Sequence, residues 1–434
     1  MRFLRFFIVY LALVIAAGLS RADELHSITY PASDQGGELS MVAKFNLWIP
    51  PQTKRIRAVI VHQHGCGEGA ESFGDRAALD LHWRALAIKH DAALLSPYYR
   101  SGGAECRLWC DPRLGSDAVF CRALVDLAAQ TKHPELASAP WCLWGHSGGG
   151  YWVSLMLEKH PERIVAAFCR SGAFLSGWLG EAPEAQFPST AYGVPVMFSP
   201  GLLERDDANF TKAWLSTANL FAQFRTHNAP VAFAPDPFSS HDCRNSRLLA
   251  IPFFDACLRL RLSRRGGELK PVKLNRGWTG DWESGTVQPV RGEIPASTSW
   301  LPDETSARAF AEYVTTGKTT DRTRPKKAPI LTSVQRTKRG IELTWTSEAD
   351  LESGIRQFVI YRDGEKLAVW PEKLDERTGF AQFQGISYHD TPVSPRPPLV
   401  FTDRTVAPEA RPSYAVTMIN GAGLESARSK IVRP

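Results

Sequence analysis

The chain has 434 residues, 44% of them hydrophobic, which is enough for two or three domains with apolar cores. Its 51 basic and 45 acidic residues give a formal net charge of +6. Removal of the first 22 residues would take away three arginines and leave about +3, a charge too small to indicate nucleic acid binding.

The first 22 residues predict a signal peptide. Arg2 and Arg5 flank the start of an apolar run over residues 6–17, and small residues follow up to a cleavage point after Ala22. The apolar run is short for a membrane span, although an uncleaved anchor stays open, and no other run is long enough. We therefore expect a secreted or periplasmic protein with no membrane span after cleavage.

Eight cysteines follow the predicted cleavage point: Cys66, Cys106, Cys110, Cys121, Cys142, Cys169, Cys243 and Cys257. An even count in an exported chain permits disulfides, but the connectivity cannot be deduced from the sequence. Cys106 and Cys110 are candidates for a local or cross-loop bridge. Cys142 and Cys169 lie in apolar, strand-like runs and are expected to be core residues. The absence of paired C-x-x-C motifs argues against a zinc site.

From about residue 57 to residue 262, apolar runs of strand length alternate with helical segments. The predicted strands cover residues 57–61, 92–95, 141–144, 164–169, 194–198 and 231–234. The predicted helices cover residues 77–90, 118–130, 151–160 and 208–227. This alternation predicts an α/β domain whose mostly parallel sheet has helices on both faces.

Gly145-His146-Ser147-Gly148-Gly149 fits the nucleophile-elbow pattern G-x-S-x-G, in which a serine occupies a sharp turn between a strand and a helix. A short apolar run precedes the motif, and a segment with helical character follows it. The turn would expose the Ser147 hydroxyl at a helix N-terminus, where a developing negative charge is favoured. The pattern predicts Ser147 as a nucleophile, and the competing interpretation is a glycine-rich turn with an ordinary surface serine.

The loop after the first predicted strand is a candidate oxyanion loop. The strand ends in His62-Gln63-His64-Gly65-Cys66, and a His-Gly pair at this point predicts that the backbone N–H groups of Cys66 and Gly148 bind the oxyanion. His62 and His64 alternate onto one face of the strand, which would also suit a metal site. No third ligand stands at a suitable spacing, so we expect His64 to shape the loop by hydrogen bonding.

His241 is the predicted catalytic base, because it stands in the loop that follows the last predicted strand and precedes a helix. If His241 is the base, activity should fall as it protonates in mild acid. The acid is less clearly marked. Glu204 stands three residues after a glycine that follows the strand at 194–198, which is the usual spacing, while Asp206 and Asp207 are close alternatives. Asp242 is less favoured because it is adjacent to His241.

Residues 266–325 are predicted to be an irregular extension and linker, since they show little periodicity apart from a helix near residues 303–314. Three tryptophans stand in this stretch: Trp278, Trp282 and Trp300. They could form a surface on which carbohydrate stacks, but tryptophans that fix an irregular segment onto a neighbouring core are commoner.

Residues 326–434 predict a separate all-β module. Strand patterns cover residues 341–345, 357–361 and 412–420, and Asp363-Gly364 marks a hairpin turn. The module resembles a fibronectin type III domain on the following residues: Trp345, Tyr361, Phe401-Thr402-Asp403, and Tyr414 in the tyrosine-corner position. The resemblance implies a sandwich that acts as a spacer or docks on a surface or polymer.

The order Ser147, Glu204, His241 is the order of the catalytic triad in α/β-hydrolases. Residues 45–262 resemble that superfamily, and within it the secreted esterase and depolymerase branch. The catalytic domain is therefore expected to extend over residues 23–265. The resemblance implies ester hydrolysis through an acyl-enzyme, with His241 as base and without a cofactor or a metal.

The substrate is expected to be a small or polymeric ester, with a carbohydrate-linked ester or a polyester favoured by export and by the appended sandwich. Two alternatives stay open. The first is a serine peptidase on the same fold. The second is a non-catalytic extracellular binding protein that uses the hydrolase fold as a scaffold, which an intact G-x-S-x-G motif argues against.

Overall fold

The computed structural model describes residues 25–100, 106–263, 268–374, 382–393 and 398–434. The predicted signal peptide, residues 1–22, lies outside these ranges. Among the helices within them, none is both long enough and apolar enough to cross a membrane.

An eight-stranded sheet forms the centre of the N-terminal module, in the order β1-β2-β4-β3-β5-β6-β7-β8. The strands are β1 His26–Tyr30, β2 Ala43–Trp48, β3 Ala58–Gln63, β4 Ala92–Tyr99, β5 Trp141–His146, β6 Ile164–Arg170, β7 Val196–Ser199 and β8 Val231–Phe233. β2 is antiparallel to both of its neighbours, and the other pairs are parallel. The predicted parallel sheet is confirmed, and its arrangement fits an α/β-hydrolase.

The sheet is covered on both faces, as predicted. Along β5, Trp141 and Leu143 enter one apolar core while Cys142 and Trp144 enter the other. This division follows from the two-residue period of a strand. Complete burial of a large apolar side chain stabilises the fold by roughly 1.5–3 kcal/mol, so the two cores fix the position of β5. Cys142 and Cys169 are buried and unbridged, which agrees with their prediction as core residues.

The helices are α1 Glu68–Gly74, α2 Leu81–His90, α3 Arg107–Cys110, α4 Ser116–Thr131, α5 Gly148–Lys159, α6 Thr211–Thr226, α7 Arg247–Arg261 and α8 Glu304–Thr316. The helix predicted over residues 77–90 begins four residues later than expected. A short 3-10 turn covers residues 77–79, and α2 starts after Asp80, whose carboxylate accepts the N–H groups of His82 and Trp83 at 2.9 and 3.0 Å. An aspartate that caps these amides ends one element and begins the next.

The extension that was predicted to be irregular contains a small antiparallel sheet. Its order is β10-β9-β11, with β9 Trp278–Gly280, β10 Val287–Pro289 and β11 Ser299–Leu301. Strands of three residues are too short to show an apolar period, which is why the sequence does not reveal them. Trp300 is buried, and the ring of Trp282 packs against Phe233 at 5.8 Å between centroids. These two tryptophans therefore fix the extension onto the neighbouring core.

The C-terminal module consists of two three-stranded antiparallel sheets around one apolar core. One sheet has the order β12-β13-β16 and the other β15-β14-β17. The strands are β12 Ile330–Thr337, β13 Gly340–Thr346, β14 Gln357–Arg362, β15 Glu365–Trp370, β16 Val400–Asp403 and β17 Tyr414–Ile419. The predicted hairpin turn joins β14 to β15, with Asp363 at φ 49° and Gly364 at φ 87°. The Tyr414 hydroxyl donates to Asp403 at 2.8 Å.

Part of the connection between β15 and β16 contacts both modules: Phe383 packs in the C-terminal core, and the residues after it lie against the N-terminal module. We call residues 382–393 of this connection the bridging segment. The side chain of Gln384 accepts the N–H of Leu81 at 2.8 Å and donates to the carbonyl of Leu79 at 2.9 Å, so the segment crosses the start of α2. No pattern in the sequence indicates this contact.

Candidate active site

Ser147 lies in the sharp turn between β5 and α5. Its backbone angles of φ 55° and ψ −118° are sparsely populated by non-glycine residues, so the surrounding structure must hold it there. Its N–H donates to the carbonyl of Arg170 at 2.8 Å. The next residue must be glycine, because a Cβ at Gly148 would overlap the sulfur of Cys66. The turn therefore has the strained geometry that the elbow pattern predicts.

The structure brings Ser147, His241 and Glu204 into one chain of hydrogen bonds. The Nε2 atom of His241 lies 2.8 Å from the hydroxyl of Ser147, and its Nδ1 atom lies 2.7 Å from the carboxylate of Glu204. The carboxylate can only accept, so Nδ1 carries the proton and Nε2 offers its lone pair to the serine hydroxyl. This arrangement can remove the serine proton as the oxygen attacks a carbonyl.

Of the four carboxylates considered from the sequence, Glu204 is the one that contacts His241. It is fully buried in a 3-10 turn after β7, and its second oxygen accepts the N–H of Gly201 at 3.2 Å. The side chain of Asp206 is 78% exposed and pairs with its neighbour Arg205 at 3.3 Å. Asp207 caps a local turn, and Asp242 approaches Arg244 at 3.5 Å.

The buried side chain of Arg170 fixes the loop that carries His241. From the end of β6, its guanidinium donates to the carbonyl of Ser199 at 2.9 Å and to the hydroxyl of Ser239 at 2.6 Å. It also donates to the carbonyl of Asp242, the residue after His241, at 3.1 Å. Guanidinium donors held in one plane restrict the loop at several points at once. The sequence offers no signal for this role.

An aromatic ring covers one face of His241. Phe210, immediately before α6, stacks on the imidazole with 4.2 Å between ring centroids and 7° between planes. The contact limits rotation of the imidazole and leaves little of it exposed to water. Sequence reasoning missed Phe210, because a single aromatic residue before a helix carries no special pattern.

The predicted oxyanion loop runs across the elbow. A Cβ at Gly65 would lie 3.3 Å from the Cβ of Ser147, and a disulfide joins Cys66 to Cys106 at the start of α3. Within the described ranges, the N–H groups of Cys66 and Gly148 donate to no other residue. Both are therefore available to an oxygen bound beside Ser147. The bridge is of the cross-loop kind, and Cys110 is buried and unpaired.

The two histidines of β3 and the following loop are both engaged by neighbours. His64 donates from Nδ1 to the carbonyl of Gly65 at 2.6 Å and accepts the N–H of Tyr99 at Nε2, 3.1 Å away. Burial lowers the pKa of His64 to about 4, so the ring is neutral at physiological pH. His62 stacks on Trp144 at 3.9 Å. His64 thus shapes the loop by hydrogen bonding, as predicted.

Two clusters of potential metal ligands occur in the described part of the chain. One consists of Cys66, Cys106 and Cys110, the other of Asp117, Cys121 and His160, with ligand atoms within 4.8 Å of one another. Two sulfurs of the first cluster form the disulfide. In the second, Nε2 of His160 lies 2.6 Å from the carboxylate of Asp117, and burial raises the pKa of the Cys121 thiol to about 12. His62 and His64 belong to neither cluster.

The bridging segment borders the site. The carbonyl of Tyr388 accepts the N–H of Cys243 at 3.0 Å. The residue is 41% exposed, and its ring lies beside that of His146, 5.8 Å away between centroids. His389 lies with its Nδ1 atom 3.0 Å from Nδ1 of His146. His146 in turn lies 2.7 Å from the carbonyl of His241. Sequence reasoning missed all three of Tyr388, His389 and His146.

No family model matches the chain, and no curated protein sequence is significantly similar to it. Among solved structures, a thermostable esterase aligns at 15% identity over 49% of this chain, with a TM-score of 0.36. This chain spans only about half of that esterase, 55% of its length.

Two other solved structures align over a larger share of their own length. An S-formylglutathione hydrolase from Staphylococcus aureus has 15% identity over 54% of this chain and 94% of its own, with a TM-score of 0.33. A ferulic acid esterase has 14% identity over 50% of this chain and 91% of its own, with a TM-score of 0.34. The fold assignment rests on the strand order of the central sheet, since alignments at these scores are too loose to carry it.

Proposed function

We propose that the protein is an exported serine hydrolase that cleaves carboxylic esters through an acyl-enzyme on Ser147. The observation that carries the proposal is the hydrogen-bond chain from Ser147 through His241 to the buried Glu204. A serine hydroxyl is a weak nucleophile at neutral pH, and such a chain is the arrangement that activates it. The strained backbone of Ser147 adds support, because strain of this kind is concentrated at functional sites.

In the acylation step, the Oγ atom of Ser147 attacks the ester carbonyl while Nε2 of His241 takes its proton. The N–H groups of Cys66 and Gly148 bind the oxyanion, and the N-terminus of α5 favours the same charge. His241 then returns the proton to the leaving alcohol. Glu204 keeps the Nδ1–H of His241 in place and stabilises the imidazolium that forms in between.

In the deacylation step, water takes the place of the alcohol. His241 removes a proton from the water, which attacks the acyl carbonyl on Ser147 and regenerates the same oxyanion. Collapse of this second intermediate releases the carboxylic acid and returns the proton to Ser147. One base and one oxyanion site therefore serve both halves of the reaction.

The substrate that we propose is an extracellular ester with an apolar or aromatic portion, free or linked to a carbohydrate or another polymer. Phe210 on the face of His241 and the exposed ring of Tyr388 offer surfaces on which such a group can pack. Export is inferred from the predicted signal peptide. We further propose that the C-terminal module is of the fibronectin type III kind, from its two antiparallel sheets packed around one core.

Labelling of the purified mature protein with a fluorophosphonate probe tests the proposal, because the probe reacts with activated serines. Wild type and a control in the exposed Ser138, Ser138→Ala, should label and hydrolyse activated esters, and Ser147→Ala should do neither. Matched esters and anilides of one acyl group should show a strong preference for the ester. An unlabelled wild type would overturn the proposal, and efficient anilide cleavage would favour a peptidase.

A further inference from the structure

The loop that carries His241 has a second support, which comes from the C-terminal module. We propose that His389 of the bridging segment is a positioning residue: it orients His146, and His146 holds the backbone of His241 where its ring can reach Ser147. This inference rests on the proposed function and deepens it, since it assigns part of the catalytic geometry to a residue far along the chain.

Two hydrogen bonds, one between His389 and His146 and one between His146 and the carbonyl of His241, form a relay. The direction of each bond follows from the atoms that it joins. The carbonyl of His241 can only accept, so Nε2 of His146 carries a proton and donates to it across 2.7 Å. A neutral imidazole has one N–H, so Nδ1 of His146 is a lone pair. That lone pair accepts the Nδ1–H of His389 across 3.0 Å. The relay thus assigns a single tautomer to each ring.

The relay requires both rings to be neutral, and their surroundings keep them so. Burial holds the pKa of His146 well below its usual range, with further contributions from His389, His241 and Arg170. Burial also lowers the pKa of His389 to about 3, helped by His64 and His241. A protonated His146 would carry N–H groups at both nitrogens and could no longer accept from His389.

The bridging segment is firmly anchored next to His389, which distinguishes the relay from an accidental contact. Asp390 is fully buried, and its carboxylate accepts from Arg247 at 2.6 Å, from Trp83 at 3.0 Å and from His62 at 3.1 Å. All three partners belong to the N-terminal module. Buried carboxylates need such partners to offset the cost of desolvation, so this arrangement fixes the register of the segment.

The backbone on the other side of His389 is fixed as well. The carbonyl of Tyr388 accepts the N–H of Cys243, two residues after His241. The N–H of His389 donates to the hydroxyl of Ser387 at 3.1 Å, and that hydroxyl also contacts Thr391 at 2.8 Å. The loop of His241 and the segment of His389 are therefore tied together at two points, one through backbone and one through His146.

The consequence is that the C-terminal module completes the active centre. Without His389, the buried Nδ1 of His146 loses its donor and the ring is free to turn away from the carbonyl of His241. A displacement of about 1 Å at a catalytic group can cost on the order of 100-fold in rate, while substrate binding need not change. The effect should therefore appear in kcat rather than in KM.

The test compares full-length wild type with His389→Leu, which removes the donor, and His389→Asn, whose amide nitrogen can reach the place of Nδ1. We expect kcat for an activated ester to fall by roughly 10- to 100-fold in His389→Leu, with KM nearly unchanged. His389→Asn should recover most of the loss. The control is Tyr361→Phe, which removes a hydrogen bond to Glu425 within the C-terminal module and should leave kcat unchanged.

Urea unfolding of the same proteins separates positioning from stability. A kcat that stays at the wild-type value in His389→Leu would overturn the inference. The inference would also be overturned if kcat fell equally in His389→Leu and His389→Asn, in proportion to the free energy of unfolding that each variant loses. The low-field proton resonance of His241 Nδ1–H gives a reading that does not depend on turnover, and it should shift in His389→Leu alone. A wild type that is neither labelled by the fluorophosphonate probe nor active would instead overturn the proposed function.

Discussion

Among the residues that hold His241, Glu204 and His389 come from different regions of the molecule and act in different ways. Glu204 lies 37 residues away in the same module and offers a buried charge to Nδ1. His389 lies in the other module and acts through His146, and both of these rings are neutral. The charge can stabilise an imidazolium, whereas the neutral relay can only set a position. Loss of the first should therefore cost more than loss of the second.

The largest effect is expected from Glu204→Gln, which keeps the shape of the side chain and removes its charge. An amide in this place no longer fixes the tautomer of His241, so kcat should fall on the order of 10³- to 10⁴-fold. Steady-state hydrolysis of an activated ester measures the loss, with the exposed Asp206→Asn as the control. If Glu204→Gln kept more than a tenth of the wild-type kcat, the charge of Glu204 would contribute no more to catalysis than the neutral relay does.

Asp390→Asn tests the anchor of the neutral support. Arg247 keeps Asp80 as a charged partner at 2.8 Å, but the amide that replaces the carboxylate cannot accept from Arg247, Trp83 and His62 together, so the free energy of unfolding should fall by about 1–3 kcal/mol. Urea unfolding followed by tryptophan fluorescence measures this. The exposed pair Glu304–Arg308 is the comparison, since Glu304→Gln should cost less than about 1 kcal/mol. Similar losses in the two variants would mean that the buried pair anchors nothing.

The free energy of unfolding should fall in mild acid, because several histidines are buried in their neutral form. Burial lowers the pKa of His64 and of His82 to about 4, against 6.5 for an exposed histidine. Between about pH 6.5 and pH 4, the unfolded chain binds protons that the folded chain refuses, so stability falls as the pH falls. Each of the two histidines should contribute about 1.4 kcal/mol per pH unit in that window.

Urea unfolding between pH 7 and pH 4.5 measures this slope. In His82→Gln, the contribution of His82 disappears while those of the other buried histidines remain, so the slope should decrease by about 1.4 kcal/mol per pH unit. Stability that rose towards pH 5 would show that these rings are protonated in the folded protein.

The smallest effect is expected from Phe210→Leu, because stacking between rings contributes about 0.5–1.5 kcal/mol. Loss of the ring that covers His241 should lower kcat/KM about two- to tenfold. Tyr192 offers a matched control, since it stacks on His227 at 3.8 Å at the opposite end of α6. Tyr192→Leu should lower stability while leaving kcat/KM intact. Equal losses in kcat/KM would assign Phe210 to packing alone.

The features that the sequence revealed are local ones. The turn at Ser147 needs glycine at fixed offsets between a strand and a helix, and the parallel sheet shows in the regular alternation of apolar runs. Glu204 and His241 each follow a strand of the parallel sheet, and the carboxyl ends of parallel strands lie at the same edge of a sheet. Their catalytic roles stay predictions until Ser147 is labelled.

The features that the sequence concealed depend on distant contacts. His146 and His389 are 243 residues apart, and no pattern near either one predicts the other. Cys66 could have paired with any of several cysteines, and the choice of Cys106 depends on where α3 begins. The role of His146 could have been suspected from its place beside Ser147, but its partner could not.

The buried pair of Arg247 and Asp390 also sets an order of events during synthesis. The two residues are 143 positions apart, so the ribosome completes the whole N-terminal module well before it reaches the aspartate. Until then, the space between β3, α2 and α7 lacks the carboxylate that fills it. A growing chain of this protein therefore keeps the proposed catalytic centre incomplete until His389 and Asp390 have emerged from the ribosome, and a chain cut short before residue 389 should be folded in part but slow.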